Sequence, residues 1–209
     1  SKDFSILREA LPEWTLIVVI NGPARRTQEK IAYESDALKE VCDMMNVELR
    51  ETLPRVPGAE HVIADELLRP WGILKKFNYK GSVHDLTFKT PLHNVPRVLE
   101  AVERLASRHG YPQVDIGAYA LPLERARAMH VEIDLHCPAR DCAERSTVKD
   151  LWLEASSELA NAGAYFDRPY GAWAPLMYGR AAAYTQMLKK LKSEMDPHNI
   201  LNPGKLCFT

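Results

Sequence analysis

The stretch ARAMHVEIDLHCP, residues 126–138, decides the fold. From Met129 to Cys137 apolar and polar side chains alternate at period two, the pattern of a β-strand with one buried face. Val131, Ile133 and Leu135 point one way; His130, Glu132, Asp134 and His136 point the other. The apolar face has to be covered, and the flanking segments supply the cover. Downstream, Val148, Leu151, Trp152, Ala155 and Leu159 recur at helical spacing and predict a helix from about Thr147 to Ala162. Upstream, PQVDIGAYA (112–120) and SVHDLTFKT (82–90) read as further strands. Between those two strands Asn94 is placed to cap a helix that turns Val98, Leu99, Val102, Leu105 and Ala106 to one side and stops at Gly110.

Further toward the N-terminus, WTLIVVIN (14–21) is apolar and β-branched and ends at Gly22-Pro23, which predicts a buried strand. Ile31, Leu38, Val41 and Met45 then share a face of a helix from Thr27 to Met45. Pro54, Pro57 and Gly58 mark a loop over 52–60, and a short helix is expected near Ala64 to Leu68, before the RPWG turn. Strand and helix thus alternate twice, which points to an α+β fold, an antiparallel sheet with helices on one face. The duplication is architectural; the halves show no sequence identity. NAGAYFDRPYGAWAP (161–175) reads as a loop or broken strand. A helix over 176–195 follows, with Met177, Tyr184, Leu188, Leu191 and Met195 on one side. Asp196-Pro197 stops it, and a Pro203-Gly204 turn carries Lys205.

The 209 residues suffice for one large or two small cored domains. With 27 basic and 28 acidic side chains the net charge is -1, so there is no electrostatic case for a nucleic-acid or anionic-membrane partner. The longest strongly apolar run, Leu16 to Ile20, is too short for a membrane span or a signal-peptide core. Cysteines at 42, 137, 142 and 207 have no zinc-site spacing and are expected as reduced thiols in a cytoplasmic setting. There is no GxGxxG, no GxxxxGK[ST] and no GxSxG, so nothing here cradles a dinucleotide pyrophosphate by itself.

Two places could carry chemistry. The polar face His130, Glu132, Asp134, His136 could bind Zn²⁺ or Fe²⁺, or act as acid and base. A solvated sheet face is the commoner arrangement, and histidines so far apart on one strand cannot chelate unaided; no metal is assigned. The second is Arg168, flanked by Tyr165, Phe166 and Tyr170. Aromatic packing would hold its fork for a carboxylate or phenolate, against the simpler alternative of a surface salt bridge. His84, His93 and His109 fall near helix ends or strand edges and are expected to titrate in solvent.

The segment YTQMLKKLKSEMDPHNILNPGKLCF (184–208) resembles the C-terminal signature of FAD-linked oxidases of the vanillyl-alcohol oxidase and p-cresol methylhydroxylase type. In that family a last helix leads through an Asp-Pro-x-x-Ile-Leu-x-Pro-Gly-Lys turn, matched here by Asp196 to Lys205 without a gap. AGAYFDRPYG (162–171) is similar to the Gly-x-Tyr-Arg segment of its phenol-oxidising branch, with Arg168 on the arginine and Phe166 or Asp167 near the tyrosine position.

The resemblance implies a ferredoxin-like cap or substrate domain of duplicated βαβ units over residues 1–160. Residues 161–209 would return toward a flavin domain, carried in cis or by a partner subunit. It implies FAD held mainly by that domain, with Asn202, Gly204 and Lys205 near the cofactor. Arg168 would stabilise substrate, and Tyr165, His130, His136 and Tyr119 are further pocket candidates. The Gly-rich pyrophosphate loop of the family's N-terminal domain is absent, so the isolated chain is expected to be inactive. A related 2-hydroxy-acid branch carries a His-x-Gly-Asp-Gly-Asn-x-His strand. His130 to His136 lacks its glycines and is one residue short. The function implied is hydride removal from a phenolic alcohol, an alkylphenol or a 2-hydroxy acid. A homo-oligomer is a possible further partner; the alternatives are a non-catalytic small-molecule-binding or dimerisation module and a metal-dependent hydrolase.

Overall fold

The computed structural model describes residues 12–23, 25–52, 58, 61, 64–65, 68–69 and 76–208. The chain divides into two compact units, Ser1–Leu74 and Lys75–Thr209.

In the first unit, helix α1 spans Thr27–Met45. Asn46 ends it in the left-handed conformation (φ 54°), its N–H bonding back to the Asp43 carbonyl. Asparagine tolerates this conformation better than most residues do. None of the residues of α1 is buried. The strand expected at 14–21 does not form: Leu16, Ile17, Val18 and Val19 lie exposed with no regular structure. A β-branched run becomes a strand only when a neighbour completes its ladder, and no such neighbour pairs with it among the described residues. Residues 64, 65 and 68 are helical as expected. Most of the 52–60 loop and the rest of the RPWG turn lie outside the described residues.

The second unit is built around the alternating strand. Short helix α2 (Phe77–Lys80) leads into β1 (Gly81–Thr90), followed by α3 (Val95–Arg108), β2 (Ile116–Leu123), β3 (Ala128–Pro138) and α4 (Cys142–Asn161). Gly81, at φ 88°, makes the sharp passage from α2 into β1, a conformation that glycine adopts without a steric cost. The sheet is antiparallel with order β1-β3-β2. β2 and β3 form a hairpin, while β1 reaches the far side of β3 through α3. The duplicated arrangement is not displayed: the described residues give one β-α-β-β-α set, not two.

Leu86 and Phe88 of β1 and Val131, Ile133 and Leu135 of β3 face the helices and are fully or almost fully buried. Val98, Val102 and Leu105 of α3 and Val148, Leu151 and Leu159 of α4 meet them. Each such side chain contributes about 2 kcal/mol by leaving water. Asp141 caps α4, its carboxylate accepting the N–H groups of Ala143 and Glu144 at 3.0 Å each. Asn94 precedes α3 as expected but does not cap it. Its amide instead donates to Thr90 Oγ1 and to the Ala162 carbonyl, both at 2.8 Å, tying β1 to the end of α4.

The helix expected over 176–195 is two helices, α5 (Trp173–Tyr178) and α6 (Ala182–Met195), broken at 179–181. Met177 is buried, but none of the α6 residues is. All four cysteines are free thiols. Among the described residues no helix is long and apolar enough to cross a membrane.

Candidate functional site

Because α3 and α4 cover one face of the sheet, the polar residues of β3 stand on the other. The strand register completes that face. Asp85, Thr87 and Lys89 of β1 lie opposite Asp134, Glu132 and His130, and Gly117, Tyr119 and Leu121 of β2 flank the same three residues.

At the His130 end the 161–172 loop is pinned to the sheet. Lys89 and Tyr165 exchange both backbone hydrogen bonds at 2.8 Å, which places Tyr165 on the outer edge of β1. The Lys89 ammonium pairs with Asp167 at 2.8 Å. Partial burial works against the Asp167 carboxylate, but Lys89, with a smaller contribution from His130, holds it below the usual range. Phe166, between Tyr165 and Asp167, points into the core. Its ring stacks on Trp173 at 4.7 Å and meets Phe88 edge-on at 5.8 Å. Arg168 follows on the exposed side, and its guanidinium makes no hydrogen bond or ion pair among the described residues. Tyr165 and Tyr170 beside it are exposed. Burial raises the Tyr178 phenol, and Cys207, Tyr184, Tyr170 and Tyr165 add to the rise, so these groups share one neighbourhood.

His136 lies six residues from His130, about 20 Å along the strand. It is buried, its ring edge-on to Tyr79 at 5.2 Å, and its Nδ1 has no hydrogen-bond partner among the described residues. Burial lowers its pKa. The structure therefore gathers Arg168, Tyr165 and His130 at one end of the face and leaves His136 at the other.

Between the two ends lies a charge cluster that the sequence pattern did not single out. The Lys76 ammonium reaches Asp85 at 3.0 Å, Glu132 at 2.5 Å and Asp134 at 3.1 Å. Burial opposes its charge, but the hydrogen bonds it donates to Glu132, Asp85 and Asp134 outweigh burial and raise its pKa. Alternation along 82–90 could have put Asp85 on this face. Nothing local points to Lys76.

The terminal turn is organised by Asp196. Its carboxylate accepts the N–H groups of Ile200 at 2.8 Å and Leu201 at 2.9 Å, and the Lys192 ammonium bonds to it as well. The Lys192 ammonium also lies 5.6 Å from the centre of the Phe208 ring. Asn202 and Gly204 adopt the left-handed conformation at φ 47° and 68°. Lys205 is exposed with no ion pair among the described residues, while Cys207 is buried. The turn is a fixed platform with one unpaired cation, which fits an anionic or polarised group supplied from outside. It does not form an enclosing nucleotide cradle.

The described residues thus form an α+β unit with a polar sheet face, an aromatic loop whose arginine has no ion pair among them, and a terminal turn organised by Asp196. The family model described as FAD linked oxidases, C-terminal domain, matches residues 172–206. The matched stretch covers α5, α6 and the Asp196–Lys205 turn. It is similar to a domain of FAD-dependent oxidoreductases, and it supports FAD and an FAD-binding domain as the context in which such a stretch works. No curated protein matches the chain.

Proposed function

We propose that the chain is the C-terminal substrate domain of an FAD-dependent oxidoreductase of the vanillyl-alcohol oxidase and p-cresol methylhydroxylase type. The enzyme would take a hydride from a phenolic alcohol, an alkylphenol or a 2-hydroxy acid. The family match over residues 172–206 carries this reading. The β-α-β-β-α order of the sheet supports a ferredoxin-like unit, with Tyr165 standing beside β1 where a fourth strand would pair. In this reading residues 1–160 contribute the cap, and residues 161–209 lead back to an FAD-binding domain in cis or in a partner subunit.

FAD, when bound, accepts the hydride. Asn202, Gly204 and Lys205 are the residues of this chain that would meet it, Lys205 as a point charge on a preset turn. Arg168 binds and orients the substrate's phenolate or carboxylate through a bidentate fork. Tyr165 and Tyr170 wall the site with rings that pack on an aromatic or aliphatic substrate and exclude water. His130, across from Lys89, is placed to exchange a proton at the substrate's edge, whereas His136 would serve only as a buried group of the face.

The test is anaerobic reduction of the flavin in the native polypeptide that contains this chain. Bleaching by a phenolic alcohol, an alkylphenol or a 2-hydroxy acid, at a rate that saturates with substrate, supports the reading. A polypeptide that purifies without flavin and binds none when FAD is added refutes it.

A further inference from the structure

The centre of the open face has a geometry that the flavin reading does not use. Asp85 and Asp134 are direct partners across the β1–β3 ladder. Like charges set opposite one another in a sheet repel, and Glu132 brings a third carboxylate, the three offering oxygens within 4.8 Å of one another. The Lys76 ammonium has three N–H donors. They go to Asp85 Oδ2, Glu132 Oε1 and Asp134 Oδ1. Asp85 Oδ1 is therefore left over, buried and without a donor among the described residues.

The neighbouring described residues are engaged elsewhere or lack a donor. On β2 the residue opposite Asp134 is Gly117, which has no side chain. On α2 the Tyr79 hydroxyl donates to Asp115 at 2.8 Å, and Lys80 bonds Asp115 at 2.6 Å and Glu144 at 3.1 Å. On β3, Glu132 has only acceptors when ionised, and the His136 ring lies against Tyr79. Among the described residues two groups can become donors toward Asp85: the His136 ring, whose Nδ1 is likewise without a partner, and Asp134 when protonated, which the register sets directly opposite.

We propose that Asp85 and Asp134 share one proton across the β1–β3 ladder and form a pH sensor, with the ladder closed while the proton is present and loosened by carboxylate repulsion when it leaves. Burial, and then the hydrogen bond with Asp85, push Asp134 up to about 7 against the pull of Lys76. The sign follows from linkage. The folded value lies above the unfolded one of about 3.9, so the folded chain holds the proton longer. The contribution to stability is greatest below about pH 4, falls as pH rises toward 7 and levels off above it. The proton of the pair is therefore lost close to neutrality, where the group can respond to small changes in pH.

Side-chain carboxyl NMR of the full chain tests the pair. The expected result is that the Asp134 carboxyl carbon titrates near pH 7 and that the Asp85 carbon shifts with it. Both titrating below about pH 5 would overturn the proposal in the wild-type chain, with no variant needed. In Asp85→Asn the Asp134 midpoint should fall by about one unit or more, because the opposing carboxylate is gone; an unmoved midpoint would also overturn it. Amide exchange at 84–86 and 133–135, corrected for its intrinsic pH dependence, should accelerate through neutrality in the wild type and not in Asp134→Asn. Equal behaviour of the two chains would remove the link between the proton and the ladder.

Discussion

Lys89 and Tyr165 bind each other twice through the backbone, N–H to carbonyl at 2.8 Å in both directions. This single pairing fixes the loop that carries Arg168 against the outer edge of β1, at Lys89, whose partner on the other side is His130. An exposed loop tip would otherwise leave its side chains free to wander. Here the residues on either side of the pairing add a second anchor, with Phe166 in the core and Asp167 on the Lys89 ammonium. Arg168 stands on a rigid base, although no described residue holds its guanidinium.

The core anchor should dominate. Phe166→Ala removes a ring that is fully buried between Trp173 and Phe88. A loss of about 3–5 kcal/mol in unfolding free energy is expected, measured by urea denaturation. Lys89→Met, which removes a half-exposed ion pair, should cost less than about 1 kcal/mol. A reversed order would mean that the loop is held by charge and not by packing.

Arg168→Lys tests the substrate fork. The ammonium keeps the charge but loses bidentate geometry, so kcat/KM of the intact flavoenzyme should fall about a hundredfold with the fold unchanged. An unaltered kcat/KM would leave Arg168 as a surface cation.

Asp196→Ala should unlock the terminal turn, and amide exchange at Ile200 and Leu201 should rise together, since both donate to that carboxylate. The same event can be driven by acid. The Lys192 hydrogen bond above all, helped by the Ile200 and Leu201 amides, holds the Asp196 carboxyl below its usual range against the effect of burial. Its stabilisation is then fully present above the unfolded value of about 3.9 and is lost as pH falls through the lower folded value. Protection of these two amides that persisted in Asp196→Ala would move the hold to Lys192 and the Leu201 carbonyl.

Lys205→Ala separates placement from chemistry at the same turn. The ammonium takes no part in the turn's own hydrogen bonds, so stability should not change. FAD retention by the intact enzyme should weaken about tenfold if the charge meets the cofactor, read by flavin dissociation during dialysis. Equal retention would make the turn a structural closure alone.

The helices α3 and α4 and the strand β3 were legible because each repeats its apolar residues over at least four positions at a period that only one kind of element has, and β1 was legible from its β-branched and aromatic composition. Asp196-Pro197 and Pro203-Gly204 likewise marked the turn locally. WTLIVVIN was misread for a physical reason: apolar, β-branched composition states a preference, and a ladder partner decides whether it is met. The break between α5 and α6 at 179–181 was hidden because the apolar spacing runs on either side of it.

The sequence by itself determined that β3 has one apolar and one polar face, that helices must cover the first, and that Arg168 sits in an aromatic loop. Alternation and composition are properties of neighbours along the chain, so they can be read there. Tertiary structure alone decided which polar residues meet. It set His130 and the Arg168 loop on either side of Lys89 and His136 at the far end, it delivered Lys76 to carboxylates on two strands, and it left one oxygen of Asp85 without a donor among the described residues. Those contacts depend on strand order and register, which are fixed by how the whole core packs and not by any local pattern.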